Sequence, residues 1–510
     1  MWNVPVGLGA YRPTVTDESC HGTVFGTVDG VSAQSESGGE RVRRWITGML
    51  TCVLAASMFA PASGEVEASS DRAFPGAEGF GADALGGRGG DVYVVTTLAD
   101  AGPGSLREGL GTATAPRTIV FEVAGYIDLA SPLRFVGSHL TIAGQSSPGG
   151  VTIAGYPFEV VNSEHIVIRY MRFRPGDRNA AAVPGKPGRG NADLVGDATD
   201  ALTIIGSSNV IVDHVSASWS MDETLSVTKS ANVTVSHSII SESLNDSFHT
   251  EGTHGFGSLV RGTGENGYSF VGNYWAHHQR RMPAIGGQQD PPAPGEPGAG
   301  LDIDLVNNVM YDWLLFPNHV LSNPFDLRVN LHGNIYIAGP SSQLCLCPWI
   351  NWESTAEQLN IARSGNVLDV DRNNSTTLLP LEDDDFVGPV TFAAAPFNFD
   401  RPSIAVLDSS DTLAQLFAEV GASHHRDWTD LRVLLQLVFR VNTVIDSVDD
   451  VGGWPAIPVY DIPFDADRDG MADSWEWKVG LDTKNHADHA GFDLDSAYTN
   501  LEIYLDGLLA

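Results

Sequence analysis

The chain has 510 residues, with 29 Lys+Arg against 63 Asp+Glu and a formal net charge of -34. Phosphate contacts need clustered Lys and Arg, so this balance argues against a nucleic-acid binder. Apolar residues make up 42% of the chain, enough for a large core, while 55 Gly and 28 Pro favour a turn-rich β protein over a helical bundle.

Residues 1–40 read as a polar extension without a strong period. Residues 41–62 then give a secretory signal peptide: Arg41, Arg43 and Arg44, an apolar run from Trp45 to Ala60, and the small-residue site Ala60-Pro61-Ala62. The run is too short for a membrane anchor, and no other segment is expected to span a bilayer. The expected product is secreted, free or held at the cell surface. Cys20 and Cys52 fall in the part to be removed, which leaves Cys345 and Cys347. A C-x-C pair is no zinc framework, and its side chains crowd too closely for a good disulfide.

Residues 71–400 carry short runs that alternate at period two between Gly, Ser, Asn or Asp. Examples are DVYVVTTL (91–98), HLTIAG (139–144), HIVIRYMRF (165–173) and NVIVDHVSAS (209–218). His139, His165, Asn209 and Asn232 open similar tetrads, and Asn273, Asn308 and Asn334 recur after later runs. Spacings of roughly 23 to 44 residues, the longer ones holding Gly/Pro-rich insertions, mark a stacked solenoid whose repeated Asn form a ladder. The fold class is all-β, a right-handed parallel β-helix, in preference to a β-sandwich.

Residues 401–455 change to helical spacing. Residues 411–421 predict a helix with Asp411 as N-cap and Gly421 as C-cap, and 427–441 a second, both expected at or near the solenoid's end. Residues 461–510 form a last module. DADRDGMADSWE (465–476) places Asp465, Asp467, Asp469, Asp473 and Glu476 at positions 1, 3, 5, 9 and 12 of a twelve-residue calcium loop. Gly470 takes the sharp turn and Met471 offers its carbonyl. Ala497 to Leu508 reads as a closing helix.

Within the solenoid, Asp197, Asp200, Asp222 and Glu223 fall on or beside two successive coils. Equivalent positions on stacked coils lie about 4.8 Å apart. Carboxylates that close repel unless a cation sits between them, and calcium takes such oxygen ligands. A solvated acidic turn is the alternative. Arg280 and Arg281 form a basic pair in a chain poor in base, where ordinary surface salt bridges are the alternative. His249, His254, His277 and His278 match no common zinc spacing.

The segments AFPGAEGFGADALGGRGGDVYVVTTLADAGPGSLREGL, DALTIIGSSNVIVDHVSASWSMDE and NYWAHHQRRMP together resemble the pectate lyases of polysaccharide lyase family 1, over roughly residues 73–480. The resemblance implies a calcium-filled cleft and β-elimination on polygalacturonate or a related uronate polymer, an acidic plant-type polysaccharide. It implies Asp200 and Asp222 as calcium ligands, with Asp197 and Glu223 beside them. It also implies Arg281 as catalytic base, with Arg280 and His278 meeting substrate. Ala198, Ser226, Glu251 and Ala284 depart from the family's pattern. Either Arg281 takes the C5 proton or it stabilises the enolate while water or hydroxide does. The rivals are a two-carboxylate glycoside hydrolase, a calcium-independent pectin lyase, and a non-catalytic β-helix that binds acidic glycan or serves at the cell surface. Adjacent Asp222 and Glu223 point to opposite faces of a strand, which disfavours the hydrolase. A monomer is expected.

Overall fold

The computed structural model describes residues 72–509 apart from 115, 263–266, 288–300, 322–325, 343–345, 352–357 and 373–376. Residues 1–40, the expected signal peptide at 41–62 and Cys345 lie outside the described residues. Cys347 is disulfide-bonded.

The alternating runs become the rungs of a parallel β-helix with three strands per coil. One sheet collects Asp91–Val95, Arg117–Phe121, Ser138–Ala143, Glu164–Arg169 and Ser208–Asp213. The second collects Gly125–Asp128, Val151–Ala154, Arg172–Arg174, Ser216–Ser218, Ile239–Ser241 and Tyr274–His278. The third collects Leu133–Phe135, Phe158–Val161, Leu202–Ile205, Leu259–Gly262 and Ala284–Gly287. Leu225–Ser236 runs through a turn and serves both the third sheet and the first. Every pairing between described strands is parallel except that of Val367–Asp369 with Leu379–Pro380. Period-two alternation sends one set of side chains inward, where Trp219, Trp275, Trp313 and Trp349 are fully buried among Val, Ile and Leu.

Paired positions are 23 to 44 residues apart in sequence. His139, His165, Asn209 and Asn232, one per coil, hold φ of 52 to 56° and turn the chain. At a second corner the Asn ladder forms. Asn273, Asn308 and Asn334 are fully buried, and each passes its Nδ2 to the Oδ1 of the next coil, ending on Asn366. The same oxygens accept the backbone N–H of the preceding coil's Asn, so a buried amide satisfies the turn above it.

The helical segment lies along the flank of the solenoid, not at its end. Helix α2 (Ser409–Glu419) follows α1 (Leu106–Gly111), and α3 is Trp428–Phe439. Leu416, Val433 and Leu437 cover Tyr274, Val309, Tyr311 and Ile335 on the outer face of the second sheet. Asp408, not Asp411, caps α2 by accepting from the Ser410 and Asp411 amides, and the helix ends before Val420. Buried Arg174 pairs with Asp427 and Asp430 at the start of α3, and Arg432 with buried Glu242. Burial alone would raise the Asp427 carboxyl, but the Arg174 and Arg172 guanidiniums outweigh it and hold the carboxyl below its ordinary range.

The C-terminal module contains α4 (Asp473–Val479) and α5 (Asn500–Gly507), the latter capped by Thr499. Among the described residues no helix is long and apolar enough to cross a membrane.

Asn308→Ala orphans at least two buried backbone or amide groups and is expected to cost roughly 3 kcal/mol in denaturant unfolding. Asp427→Asn leaves Arg174 without its full countercharge and is expected to cost about 3–5 kcal/mol. Because the folded Asp427 carboxyl lies below its unfolded value of about 4, its contribution is complete at neutral pH and lost as the solution is acidified below that value. The variant should therefore differ most from the parent near neutrality.

Candidate functional site

The corner between the second and third sheets carries the candidate site. Asp200 stands just before Leu202–Ile205, and Asp222 and Glu223 just before Leu225–Ser236 on the next coil. The Glu223 amide donates to Asp200 Oδ1 at 3.2 Å, and the Thr203 hydroxyl to Asp200 Oδ2 at 2.9 Å. Glu223, Phe256 and Arg280 bridge in sequence on three successive coils, so the stack itself sets their order. Long excursions, 175–201 and 242–258, leave from this same corner.

Asp200, Asp222 and Glu223 each bring a carboxylate oxygen within 4.8 Å of the others, so adjacent Asp222 and Glu223 converge instead of pointing to opposite faces as expected, because they precede the strand that starts at Leu225. Burial, and after it the neighbouring Asp222 carboxylate, push the Asp200 carboxyl well above its ordinary range. The donors of these three residues are all oxygens, a set that suits a hard divalent cation such as calcium; Asp222 also groups with the ring nitrogens of His249 and His254.

Arg281 sits across the carboxylates with φ of 66°, a left-handed turn residue just ahead of Ala284–Gly287. Its Nη1 pairs with Glu223 Oε1, and its Cζ lies 4.0 Å from the centroid of buried Phe256. Arg280 stacks on the same ring at 4.7 Å. Burial pushes the Arg281 guanidinium down to about 10, opposed by the charges of Asp222 and Asp200.

Two expected members stand elsewhere. Asp197 accepts from the Thr250 amide and hydroxyl and is not among the converging carboxylates. His278 is fully buried, with Nδ1 on Ser243 Oγ at 2.7 Å and Nε2 on the Ile240 carbonyl at 2.9 Å. Both nitrogens are engaged, and burial pushes the ring down to about 3, so it meets no ligand at the surface. Three other residues join the site. Phe256 is the floor beneath the arginines. His249 and His254 stack with ring centroids 3.6 Å apart, and His254 Nε2 lies 3.0 Å from Asp222 Oδ1. No coil period marks 242–258, so the sequence pattern does not single out Phe256, and His249 and His254 are picked out there only as histidines that match no common zinc spacing.

In the C-terminal loop, Asp465, Asp467 and Asp469 converge, and Asp469 converges again with Glu476 and with Asp488 from outside the loop. Asp473 instead accepts from the Ala466 amide. The Met471 side chain is buried against the first sheet.

The chain is 32% identical over 444 residues to probable pectate lyase C of Emericella nidulans, spanning 86% of this chain and 93% of that one. Probable pectate lyase C of Aspergillus flavus is also 32% identical, over 446 residues, with 86% and 94% covered. Among solved structures, a pectate lyase from Bacillus sp. N165 in complex with trigalacturonate is 13% identical at a TM-score of 0.44, covering 67% of this chain and 98% of that one. No family model matches the chain.

Replacing Asp200 or Asp222 by Asn removes one of two half-buried carboxylates from the corner. Either change is expected to weaken calcium binding there by about tenfold or more in calorimetric titration of the full chain.

Proposed function

The chain belongs to the pectate lyase family, a family of polysaccharide lyases, and from that premise we propose that its corner cleft cleaves polygalacturonate or a related uronate polymer by calcium-dependent β-elimination. The observation that carries the reading is the placement of Arg281 on Phe256, facing Asp200, Asp222 and Glu223 from successive coils.

Asp200, Asp222 and Glu223 are the residues that would hold the cation. When bound, calcium supplies a countercharge for the substrate carboxylates and Lewis acidity at C6, next to the proton to be removed. Arg281 takes the proton from C5. The electron pair left behind forms the C4–C5 double bond as the C4–O bond breaks, and the leaving oxygen is protonated from solvent. A free guanidinium is a poor base. Burial supports this role because it lowers the affinity of Arg281 for its proton. Phe256 fixes the plane of the guanidinium, which limits the positions from which it can reach C5. Glu223 holds Arg281 in the free protein and is released when a cation and substrate carboxylate enter. Arg280 stacks on the same ring and is placed to meet a second carboxylate of the polymer.

Export is proposed from residues 41–62, whose charged, apolar and small-residue order fits a signal peptide. A polymer too large to enter a cell requires it.

The test is the ultraviolet absorbance of the unsaturated product on polygalacturonate. Absorbance should rise with calcium and stop with chelator. Arg281→Ala should lose about 10³-fold or more of turnover while calcium binding remains. Absence of product from folded parent protein in calcium would contradict the reading. Near-full turnover in Arg281→Ala would remove Arg281 from the proton transfer.

A further inference from the structure

The C-terminal module holds a second set of carboxylates that the cleft chemistry does not use. Asp469 and Glu476 are fully buried. Asp469 Oδ2, both oxygens of Glu476, both of Asp467 and Asp488 Oδ1 are buried without a hydrogen-bond partner among the described residues. Leaving so many carboxylate oxygens buried and unpaired is costly, and the chain offers them one another instead of a cation. Their oxygens form two groups, each within 4.8 Å, that share Asp469.

The loop is shaped around that point. Asp465 accepts from the Arg468 and Gly470 amides, and Asp469 from the Met471 amide, which curls the backbone around the acids. Gly470 has φ of 91°, and a Cβ there would stand 3.1 Å from Val92 Cγ1, so the turn needs glycine. Thiol and imidazole donors are absent from the converging set. Magnesium keeps several waters and takes one or two carboxylates, whereas calcium accommodates six to eight oxygens.

Three segments meet at this point: the acidic loop, α4 through Glu476, and the turn His486–Ala490 through Asp488. The same segments bind the first coils. Met471 and Ala472 pack with Leu501, Tyr504 and Leu505 of α5 against Val120 and Ala143. The Asp488 carbonyl accepts from Asn500 at the start of α5, His489 Nε2 lies 2.9 Å from the Gly90 carbonyl, and Glu502 pairs with Arg88 at 2.8 Å.

We propose that Asp488 completes a calcium site with Asp465, Asp467, Asp469 and Glu476, and that the bound ion staples the C-terminal module to the first coils of the β-helix. Asp473, at loop position nine, is not a ligand but a brace on Ala466. The staple acts on stability and is independent of the cleft, so it stands or falls apart from the lyase reading.

The test uses the full chain and calcium chloride alone. Calorimetry should find a calcium site that persists in Asp200→Asn/Asp222→Asn. Glu476→Gln and Asp488→Asn should each weaken that site by about tenfold or more and abolish the calcium-dependent rise in Tm. In chelator, Glu476→Gln should melt at or above the parent, because it removes one unpaired buried charge; this shows that the variant folds. Trypsin should cut the parent after Arg468, Lys478 or Lys484 about tenfold faster in chelator than in calcium. Unchanged calcium binding in Glu476→Gln would overturn the site. Unchanged binding in Asp488→Asn would overturn the part played by Asp488. Equal cleavage with and without calcium would overturn the staple.

Discussion

Each coil of this solenoid lies about 4.8 Å above the last, so whatever a residue is, its equivalent sits directly over it. For Val, Ile and Trp that repeat is favourable, because like surfaces bury one another. For Asn it is favourable too, since one amide is donor and acceptor at once, and the line from Asn273 to Asn366 closes its own hydrogen bonds in the interior. For carboxylates it is unfavourable. Acids on neighbouring coils must find an arginine, a histidine or a cation.

The candidate cleft arises where the stack does not resolve that conflict by itself. Asp200 and Glu223 are one coil apart, and Glu223, Phe256 and Arg280 climb three coils in register. The same geometry that orders the Asn ladder therefore sets a carboxylate, an aromatic floor and a guanidinium in a fixed line. A chain with net charge -34 would repel a polyanion over most of its surface, and the cleft offers Arg280 and Arg281 where acids also gather. A cation there would reverse the sign of the local field, which is the condition for binding an acidic polymer.

The coil period and the Asn ladder were legible in the sequence because they repeat local patterns. Arg281, Asp200 and Asp222 were legible through their motifs, and they meet at one corner. Other features depend on tertiary contacts that no local pattern carries. Asp408 and Asp411 are both good caps, and only the direction of the Ser410 and Asp411 amides decides between them. The helices lie on the flank because the second sheet presents Tyr274, Val309 and Tyr311 outward, an orientation fixed by the register of the whole stack. His278 adjoins the arginines in sequence, yet its strand turns it inward to Ser243 and Ile240. Phe256 and the stacked His249 and His254 come from an excursion without period. Counting along the acidic loop selects Asp473, while the fold brings in Asp488 from a separate turn.

The most direct test of the central claim is a crystal structure of Arg281→Lys grown with calcium and an oligogalacturonate. The account predicts a calcium ion bound by Asp200, Asp222 and Glu223 and touching a sugar carboxylate, with residue 281 facing C5 across Phe256. Sugar bound away from this corner, or a cleft without calcium while the carboxylates pair with other groups, would contradict it.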